Sequence, residues 1–270
     1  MTIRSADAGR RSLFRAALAR TEGPALGTWV KLPAMESMEL VALAGFDFAV
    51  IDLEHASLDL QTAYAHIGTA RLSGVAPIVR VPAADAGLIQ RLLDAGAEGI
   101  MVPHVDTAEH AARIAAMMRF PPRGSRGVGG TSRAGAWGAM PREEYVRFGQ
   151  DEVVLIAQLE SAEAVHNAGE IAAVPGVDAV LVGAADLAMS EGLTDGNPRV
   201  SELIREAVTR VAPTGIPVGN AGGASADAVR SAVRLGFRYT MMSNDASLLG
   251  AAAKAAVAAG RTVGFDDERQ

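Results

Sequence analysis

Residues 153–160 read VVLIAQLE, an apolar run that becomes polar only at its end. Successive side chains of a strand point to opposite faces, so Gln158 and Glu160 share one face while Ala157 and Leu159 share the other. Near-continuous apolar strands of this kind are typical of a parallel sheet that is buried on both sides. The wholly apolar face is expected to meet helices, and the face that turns polar is expected to end at an opening.

Seven similar runs lie along the chain and alternate with helical patterns. Eight strand–helix units in about 250 residues indicate a TIM barrel, whereas a doubly wound sheet would have fewer strands and a glycine-rich first turn. We therefore predict an α/β fold, a single TIM (β/α)8 barrel over 1–270 with an extra N-terminal helix at about 9–20 covering the barrel floor and a polar tail at 261–270. The candidate strands are 27–32, 48–54, 77–82, 99–104, 153–160, 179–184, 216–220 and 238–243, and the candidate helices are 36–44, 60–72, 85–95, 107–118, 161–173, 200–212, 225–235 and 246–259.

The composition limits the classes of protein that the chain can form. It has 270 residues, 49% of them apolar, and a net charge of −6, which allows a large core and argues against nucleic acid as a partner. No apolar stretch approaches the ~18 residues of a membrane span, and the polar start lacks a hydrophobic signal core, so no membrane partner and a cytoplasmic location are expected. Cysteine is absent, which excludes disulfides, thiolate metal sites and cysteine nucleophiles.

Polar residues gather where the candidate strands end. The chemistry of a TIM barrel lies at the carboxyl ends of its strands, so these residues are the candidates for function. Burying them without partners would cost several kcal/mol, and they therefore need a ligand, an ion or each other. They are Asp52, Glu54 and His55 after the second strand, Arg80 in the third, His104 after the fourth, Gln158 and Glu160 in the fifth, and Asp186 after the sixth.

Glu160 and Asp186 close adjacent strands. Neighbouring strand ends lie ~5 Å apart, so both carboxylates can reach one ion. Two carboxylates without cysteine or a histidine pair form an all-oxygen site that suits Mg²⁺ or Mn²⁺. The alternative is that each acid is satisfied by a neighbouring arginine or a helix N-terminus.

Arg80 and His55 have two interpretations each, and His104 has one. Arg80 needs an anionic partner, which is either Asp52 or Glu54 or else a substrate carboxylate or enolate oxygen. His55 follows a strand and titrates near neutrality, which favours acid–base chemistry, although a lone histidine is often structural. His104 is a candidate for substrate specificity.

A series of motifs resembles the 4-hydroxy-2-oxoheptanedioate aldolase family, the metal-dependent class II pyruvate aldolases. The resemblance extends from about residue 24 to 250, and the combination of motifs is more specific than any one of them. It implies a barrel that binds Mg²⁺, Mn²⁺ or Co²⁺ and cleaves a 4-hydroxy-2-oxo acid into pyruvate and an aldehyde. The motifs are GFDFAVIDLEHASLD (45–59), VRVP (79–82), LLDAG (92–96), MVPHV (101–105), PPRGSRGVG (121–129), QLES (158–161) and VGAADLA (182–188).

The same resemblance implies roles for individual residues. Two departures from the family pattern, Ala184 in place of a frequent proline and His104 in place of a frequent apolar residue, affect the substrate pocket and not the ligands. The implied roles are Glu160 and Asp186 as metal ligands, Gln158, Asp186 and the backbone around Ala185 as contacts of the oxo acid, His55 as proton acceptor, Arg80 as a substrate-binding residue that stabilises the enolate, Asp94 as the acid that raises the basicity of the histidine, and Asp52 as a group near metal-bound water.

Asp94 presents a geometric difficulty. It falls in the last turn of the helix that follows the third strand, which is the floor side of a barrel and far from His55 of the same chain. An acid there is also unfavourable against the helix dipole. If Asp94 assists His55, it should therefore come from a neighbouring subunit, and the hexamers built from dimers that the resemblance implies agree with a homo-oligomer.

Alternative functions remain open from the sequence. Related lyases on the same scaffold share the metal residues. A Schiff-base aldolase needs a lysine in the barrel mouth, and of the two lysines only Lys31 lies near a strand end, whereas Lys254 falls in an Ala-rich helix. A non-catalytic metabolite-binding barrel is a third possibility, and the set His55, Arg80, Glu160 and Asp186 argues against it.

Overall fold

The two faces of each strand pack as the parity predicts. In the computed structural model, which describes residues 10–194 and 196–264, Ile156 of the fifth strand lies inside the barrel, while Ala157 and Leu159 pack outward under the helices. The inner face is apolar near the floor and becomes polar only toward the carboxyl ends. Residues 1–9 of the predicted N-terminal extension and 265–270 of the predicted tail lie outside the described residues.

Eight parallel strands close in sequence order into a barrel, which confirms the predicted TIM fold. The register places Asp52 beside Arg80, and Arg80 beside Met101 of the next strand, so the polar ends stand side by side. The strands are β1 Ala25–Val30, β2 Phe48–Asp52, β3 Ala76–Arg80, β4 Gly99–Val102, β5 Val154–Leu159, β6 Ala179–Val182, β7 Val218–Gly222 and β8 Tyr239–Asn244.

The helices follow the strands, and residue types that favour helix ends stand at their limits. Asp85 caps α4 by accepting from the Leu88 N–H at 2.6 Å, and Gly96 ends it with a φ of +101°. One predicted helix, 161–173, is divided into two at Asn167. The helices are α1 Leu13–Leu18, α2 Met35–Leu43, α3 Leu60–Ser73, α4 Ala86–Asp94, α5 Ala108–Met118, α6 Arg142–Arg147, α7 Ala162–His166, α8 Ala168–Ala172, α9 Ala184–Ser190, α10 Pro198–Val211, α11 Ala226–Leu235 and α12 Asp245–Gly260.

The extra helix α1 closes the barrel floor, as predicted. Phe14 packs edge-on against Phe48 and Tyr239, with ring centroids 5.0 and 5.6 Å apart. Buried Glu98 holds the start of the helix by accepting from the Leu13 N–H at 2.7 Å and the Ser12 hydroxyl at 3.2 Å. The floor is therefore sealed by aromatic packing and by hydrogen bonds that fix α1.

The irregular segment 120–152 folds back on its own chain. Arg126 forms a buried ion pair with Asp94 at 2.8 Å. Arg133 donates to the Tyr64 carbonyl and stacks on the Tyr64 ring, 3.5 Å from its centroid. These two arginines attach the segment to the outer side of α3 and α4.

The last helix is exposed along most of its length. From Ala246 onward, α12 has almost no buried residue, and Asp245 at its start is the buried one. Asp245 accepts from the Lys31 and Leu32 N–H groups at 2.9 and 3.1 Å and so fixes the loop after β1. Among the described residues no helix is long and apolar enough to cross a membrane.

Gly27 tests the aromatic seal of the floor. A Cβ atom at Gly27 would lie 2.3 Å from the Phe48 ring, so Gly27→Ala overpacks the floor and should lower the free energy of unfolding by about 1–3 kcal/mol. Thermal denaturation followed by circular dichroism should show a decrease of roughly 2–4 °C in Tm for each kcal/mol. Gly23→Ala is the control, because nothing lies within 4 Å of that position. Equal melting temperatures for the two variants would contradict this packing.

Candidate active site

Side chains from six consecutive strand ends meet at the carboxyl rim of the barrel. β1 and β2 contribute one cationic and several polar groups, β3 contributes a guanidinium, and β4 to β6 contribute the rest. The structure brings together all the rim residues named from the sequence, and Asp94 lies apart from them at the end of α4. They are Lys31, Asp52, Glu54, His55, Arg80, His104, Gln158, Glu160 and Asp186.

The centre of the rim is a buried ion pair. Arg80 donates from Nε to Asp52 Oδ1 at 2.9 Å and from Nη2 to Oδ2 at 2.8 Å, and both residues are buried. Lys31 Nζ lies 3.1 Å from Asp52 Oδ2. Burial alone would raise the pKa of Asp52, but the hydrogen bonds and charge of Arg80, with help from the His55 N–H and Lys31, hold it below its usual value. Asp52 is therefore an ionised anchor for Arg80.

Arg80 keeps donors available beyond this pair. Its Nη1 lies 2.9 Å from Glu54 Oε2, and its guanidinium carbon lies 4.1 Å from the centre of the Trp29 ring. A guanidinium has five N–H donors, and the hydrogen bonds to Asp52 engage two of them, whereas Glu54 Oε2 is within ion-pair distance but accepts no hydrogen bond from the described residues. The structural ion pair that the sequence left open is present, and it still leaves N–H groups of Arg80 for a ligand.

Glu160 is a buried carboxylate without an ammonium or guanidinium partner among the described residues. Gln158 Nε2 donates to its Oε1 at 2.5 Å, and the His104 backbone N–H donates to its Oε2 at 3.0 Å. Burial raises the pKa of Glu160 to about 7, the charges of Asp186 and Glu54 act in the same direction, and His104 opposes them. A carboxyl group in this environment needs a proton or a cation.

The glycine directly after β6, Gly183, leaves room for the Glu160 side chain. A Cβ atom at Gly183 would lie 2.9 Å from Glu160 Cγ, so a larger residue would displace the carboxylate. Three residues further on, Asp186 lies in the first turn of α9 and is exposed, as is Ala185. Asp186 forms no ion pair with a described residue, and its charge acts on Glu160, as expected for two acids on adjacent strands.

Two histidines flank Glu54 at the mouth. His55 Nε2 lies 3.8 Å from Glu54 Oε2, and its side chain is 55% exposed. His104 Nε2 lies 3.9 Å from Glu54 Oε1, and its side chain is 65% exposed. Both rings are accessible to a ligand, which suits proton transfer by His55 and substrate contact by His104.

Asp94 lies away from the rim. It is the last residue of α4, as predicted, and its Oδ1 accepts from Arg126 at 2.8 Å and from the Tyr145 hydroxyl at 3.2 Å. Its Oδ2 accepts no hydrogen bond from a described residue. This position is on the outer side of the barrel, so the structure does not bring Asp94 to His55 of the same chain.

The rim residues fit a divalent cation. When all are ionised, Asp52, Glu54, Glu160 and Asp186 face only Lys31 and Arg80, which leaves two uncompensated negative charges. Gln158 Oε1 is buried without a hydrogen-bond partner, in the same amide group that contacts Glu160. Within residues 10–194 and 196–264, no three His, Asp or Glu side chains already enclose an ion, so water or substrate oxygens would complete the shell.

Lys31 is engaged in the ion pair with Asp52. A Schiff-base nucleophile must be free to attack a carbonyl carbon, and Lys31 Nζ is instead held 3.1 Å from the buried Asp52 carboxylate. This contact argues against the covalent alternative.

Two rim contacts were not predicted from the sequence. Lys31 was considered only as a nucleophile, and it is a partner of Asp52. His104 was considered only for specificity, and its Nδ1 lies 3.2 Å from Glu160 Oε2. Strand order was the available signal for the second contact, because β4 and β5 are neighbours in a barrel.

The barrel and its acidic rim define a TIM-type α/β protein with the features of an oxo-acid lyase. Residues 25–261 match the HpcH/HpaI aldolase/citrate lyase family. The chain belongs to this family of carbon–carbon lyases.

Relatives cover nearly the whole chain. A hydroxypyruvate/pyruvate aldolase of Chromohalobacter salexigens is 40% identical over 90% of this chain and 95% of its own length. A 4-hydroxy-2-oxovalerate aldolase of Novosphingobium aromaticivorans is 42% identical over 76% of this chain and 78% of its own. The crystal structure of an HpcH/HpaI family protein from Burkholderia cenocepacia superimposes with a TM-score of 0.85 at 34% identity, over 92% of this chain and 98% of that one.

Removal of Arg80 should destabilise the fold. Arg80→Met leaves buried Asp52 with Lys31 as its only cationic neighbour, and breaking a buried pair in this way costs about 3 kcal/mol or more. Urea denaturation measures the change. Arg199→Met is the control, because Arg199 and Glu202 are both 54% exposed and such pairs contribute at most about 1 kcal/mol. Equal losses for the two variants would contradict the central role of Arg80.

Proposed function

We propose that this protein is a divalent-cation-dependent aldolase that reversibly cleaves a 4-hydroxy-2-oxo acid into pyruvate and an aldehyde. The family and the activities named for its relatives support this reaction class. The observation that carries the proposal is Glu160, a buried carboxylate with a pKa of about 7 beside uncompensated negative charge. Such a group is suited to a cation that also binds an oxo acid.

Each rim residue has one task in the proposed reaction. Glu160 and Asp186 would hold Mg²⁺, Mn²⁺ or Co²⁺, which supplies Lewis-acid stabilisation of negative charge on the 2-oxo oxygen. His55 accepts the proton of the 4-hydroxyl, directly or through water. The C3–C4 bond then breaks, its electron pair forms the pyruvate enolate, and the aldehyde leaves. The free N–H groups of Arg80 stabilise the enolate oxygen until C3 takes up a proton.

The remaining rim groups position the oxo acid. Gln158, two residues before Glu160, and the backbone around Ala185, next to Asp186, contact the substrate. Asp52 orients Arg80 through two hydrogen bonds and would lie near a water of the bound cation. Another lyase reaction on the same scaffold, or metabolite binding without catalysis, is the alternative outcome of the tests below.

Pyruvate release tests the reaction. A panel of 4-hydroxy-2-oxo acids should yield pyruvate, a chelator should abolish the release, and Mg²⁺, Mn²⁺ or Co²⁺ should restore it. Glu160→Gln should lower kcat/KM by at least ~100-fold, because it removes a charge that holds the cation. Glu163→Gln, an exposed carboxylate in the first turn of α7, should change it less than twofold.

Two outcomes of this assay would count against the proposal. Release that persists in chelator and in Glu160→Gln would exclude a catalytic cation at this rim. Absence of release from every substrate, with wild type equal to Glu160→Gln, would favour the non-catalytic alternative.

We also propose that Asp94 raises the basicity of His55 in a neighbouring subunit of a homo-oligomer. Asp94 lies on the outer side of the barrel, and its Oδ2 accepts no hydrogen bond from a described residue, which leaves this oxygen available to a partner. The hexameric assembly and the cytoplasmic location remain predictions from the sequence.

Mixed oligomers test the role of Asp94. Asp94→Asn and His55→Asn should each lower activity, and oligomers reassembled from an equal mixture of the two variants should recover up to about a quarter of the wild-type activity, because about one site in four then combines an intact His55 with an intact Asp94 from the neighbouring subunit. Reassembly of each variant alone is the control. No recovery in the mixture would mean that both residues act within one chain or that Asp94 acts elsewhere.

A further inference from the structure

His104 has a strained backbone at a position that faces the candidate cation site. Its φ is +53°, a left-handed conformation that is uncommon for residues other than glycine and that carries backbone strain. Both adjacent peptide groups are tied to β5, because the His104 N–H donates to Glu160 Oε2 at 3.0 Å and the Val105 N–H donates to the Gln158 carbonyl at 3.1 Å. These two hydrogen bonds hold the strained backbone in place, with the imidazole at the rim.

The imidazole and Glu160 stand at the spacing of two ligands of one ion. His104 Nδ1 lies 3.2 Å from Glu160 Oε2. Ligand atoms at about 2.1 Å from a metal lie about 3 Å apart when they subtend a right angle. The two atoms can therefore share a cation with little movement.

The other ring nitrogen has the environment typical of a metal ligand. A ligating histidine usually directs its second nitrogen toward a carboxylate, and His104 Nε2 faces Glu54 Oε1 at 3.9 Å. The unpartnered, buried Oε1 of Gln158 is a further oxygen beside Glu160.

We propose that His104 Nδ1 is a third protein ligand of the divalent cation and that it makes this chain favour Co²⁺ over Mg²⁺. The assignment rests on the proposed function, in which Glu160 and Asp186 hold that cation. An imidazole nitrogen binds Co²⁺ well, whereas Mg²⁺ prefers oxygen ligands alone. The residue thus changes an all-oxygen site into a mixed nitrogen and oxygen site.

Metal titration of the chelator-treated full chain tests the assignment. His104→Gly and His104→Asn both tolerate a positive φ, so the loop and the backbone N–H to Glu160 should be retained. Isothermal titration with CoCl₂ should show at least ~10-fold weaker binding in both variants, while the affinity for MgCl₂ changes less than threefold. The visible spectrum of bound Co²⁺ should shift with the loss of a nitrogen ligand. His55→Asn, which alters the other histidine beside Glu54, should leave both affinities and the spectrum unchanged.

The outcomes separate this assignment from the proposed function. A wild-type protein that binds both ions and releases pyruvate, with the same Co²⁺ to Mg²⁺ affinity ratio in the His104 variants, would overturn the ligand assignment alone. An unchanged Co²⁺ spectrum in those variants would do the same. A wild-type protein that binds neither ion would remove the cation from the proposed function, and the assignment of His104 would be wrong with it.

Discussion

The inward face of the barrel is surrounded by protein until it reaches the rim. A polar group there meets no water along most of a strand, and an unpartnered one would cost several kcal/mol. The inner face of β5 follows this constraint. Ile156 packs among apolar side chains inside the barrel, and Gln158 and Glu160 follow only where the barrel opens. Gln158 and Glu160 satisfy part of their hydrogen-bonding capacity through the hydrogen bond between them. The position of the chemistry is thus a consequence of the packing that makes the fold.

The rim contains the same chemical group in two electrostatic environments. Asp52 accepts two hydrogen bonds from Arg80, lies beside Lys31, and has a lowered pKa despite its burial. Glu160 is also buried but has only an amide, a backbone N–H and an imidazole nearby, and its pKa is raised to about 7. Groups whose environments move their pKa values in opposite directions are a feature of functional sites. Asp52 is suited to orient Arg80, whereas Glu160 is suited to receive a ligand of opposite charge.

Most of the fold and the membership of the rim could be predicted because both depend on periodicity along the chain. The alternation around Glu160 located the inner face of β5, and the alternation of strand and helix patterns located the eight units of the barrel. The contacts of Lys31 and His104 could not be predicted in this way. The first depends on a side-chain rotamer that reaches across to β2, and the second depends on a left-handed backbone that leaves no mark in a hydrophobic pattern. The exposure of α12 was also unpredictable, because an Ala-rich helix does not specify the surface against which it packs.

The two ends of the barrel show why the charge balance, and not the presence of ion pairs, distinguishes structure from chemistry. Among the described residues, the three floor carboxylates that contact α1 and the residues just before it are paired with five guanidinium groups, whereas at the rim four carboxylates share two cationic groups. Burial raises the pKa of Glu98 at the floor as well, but Arg10 and the N–H groups of α1 oppose that effect. The floor carboxylates are therefore neutralised by arginines of the same chain, and their contacts fix α1. The rim carboxylates have too few cationic partners, and only a ligand can supply the missing positive charge. The floor pairs are Glu98 with Arg10, Glu152 with Arg11 and Arg147, and Asp178 with Arg15 and Arg119.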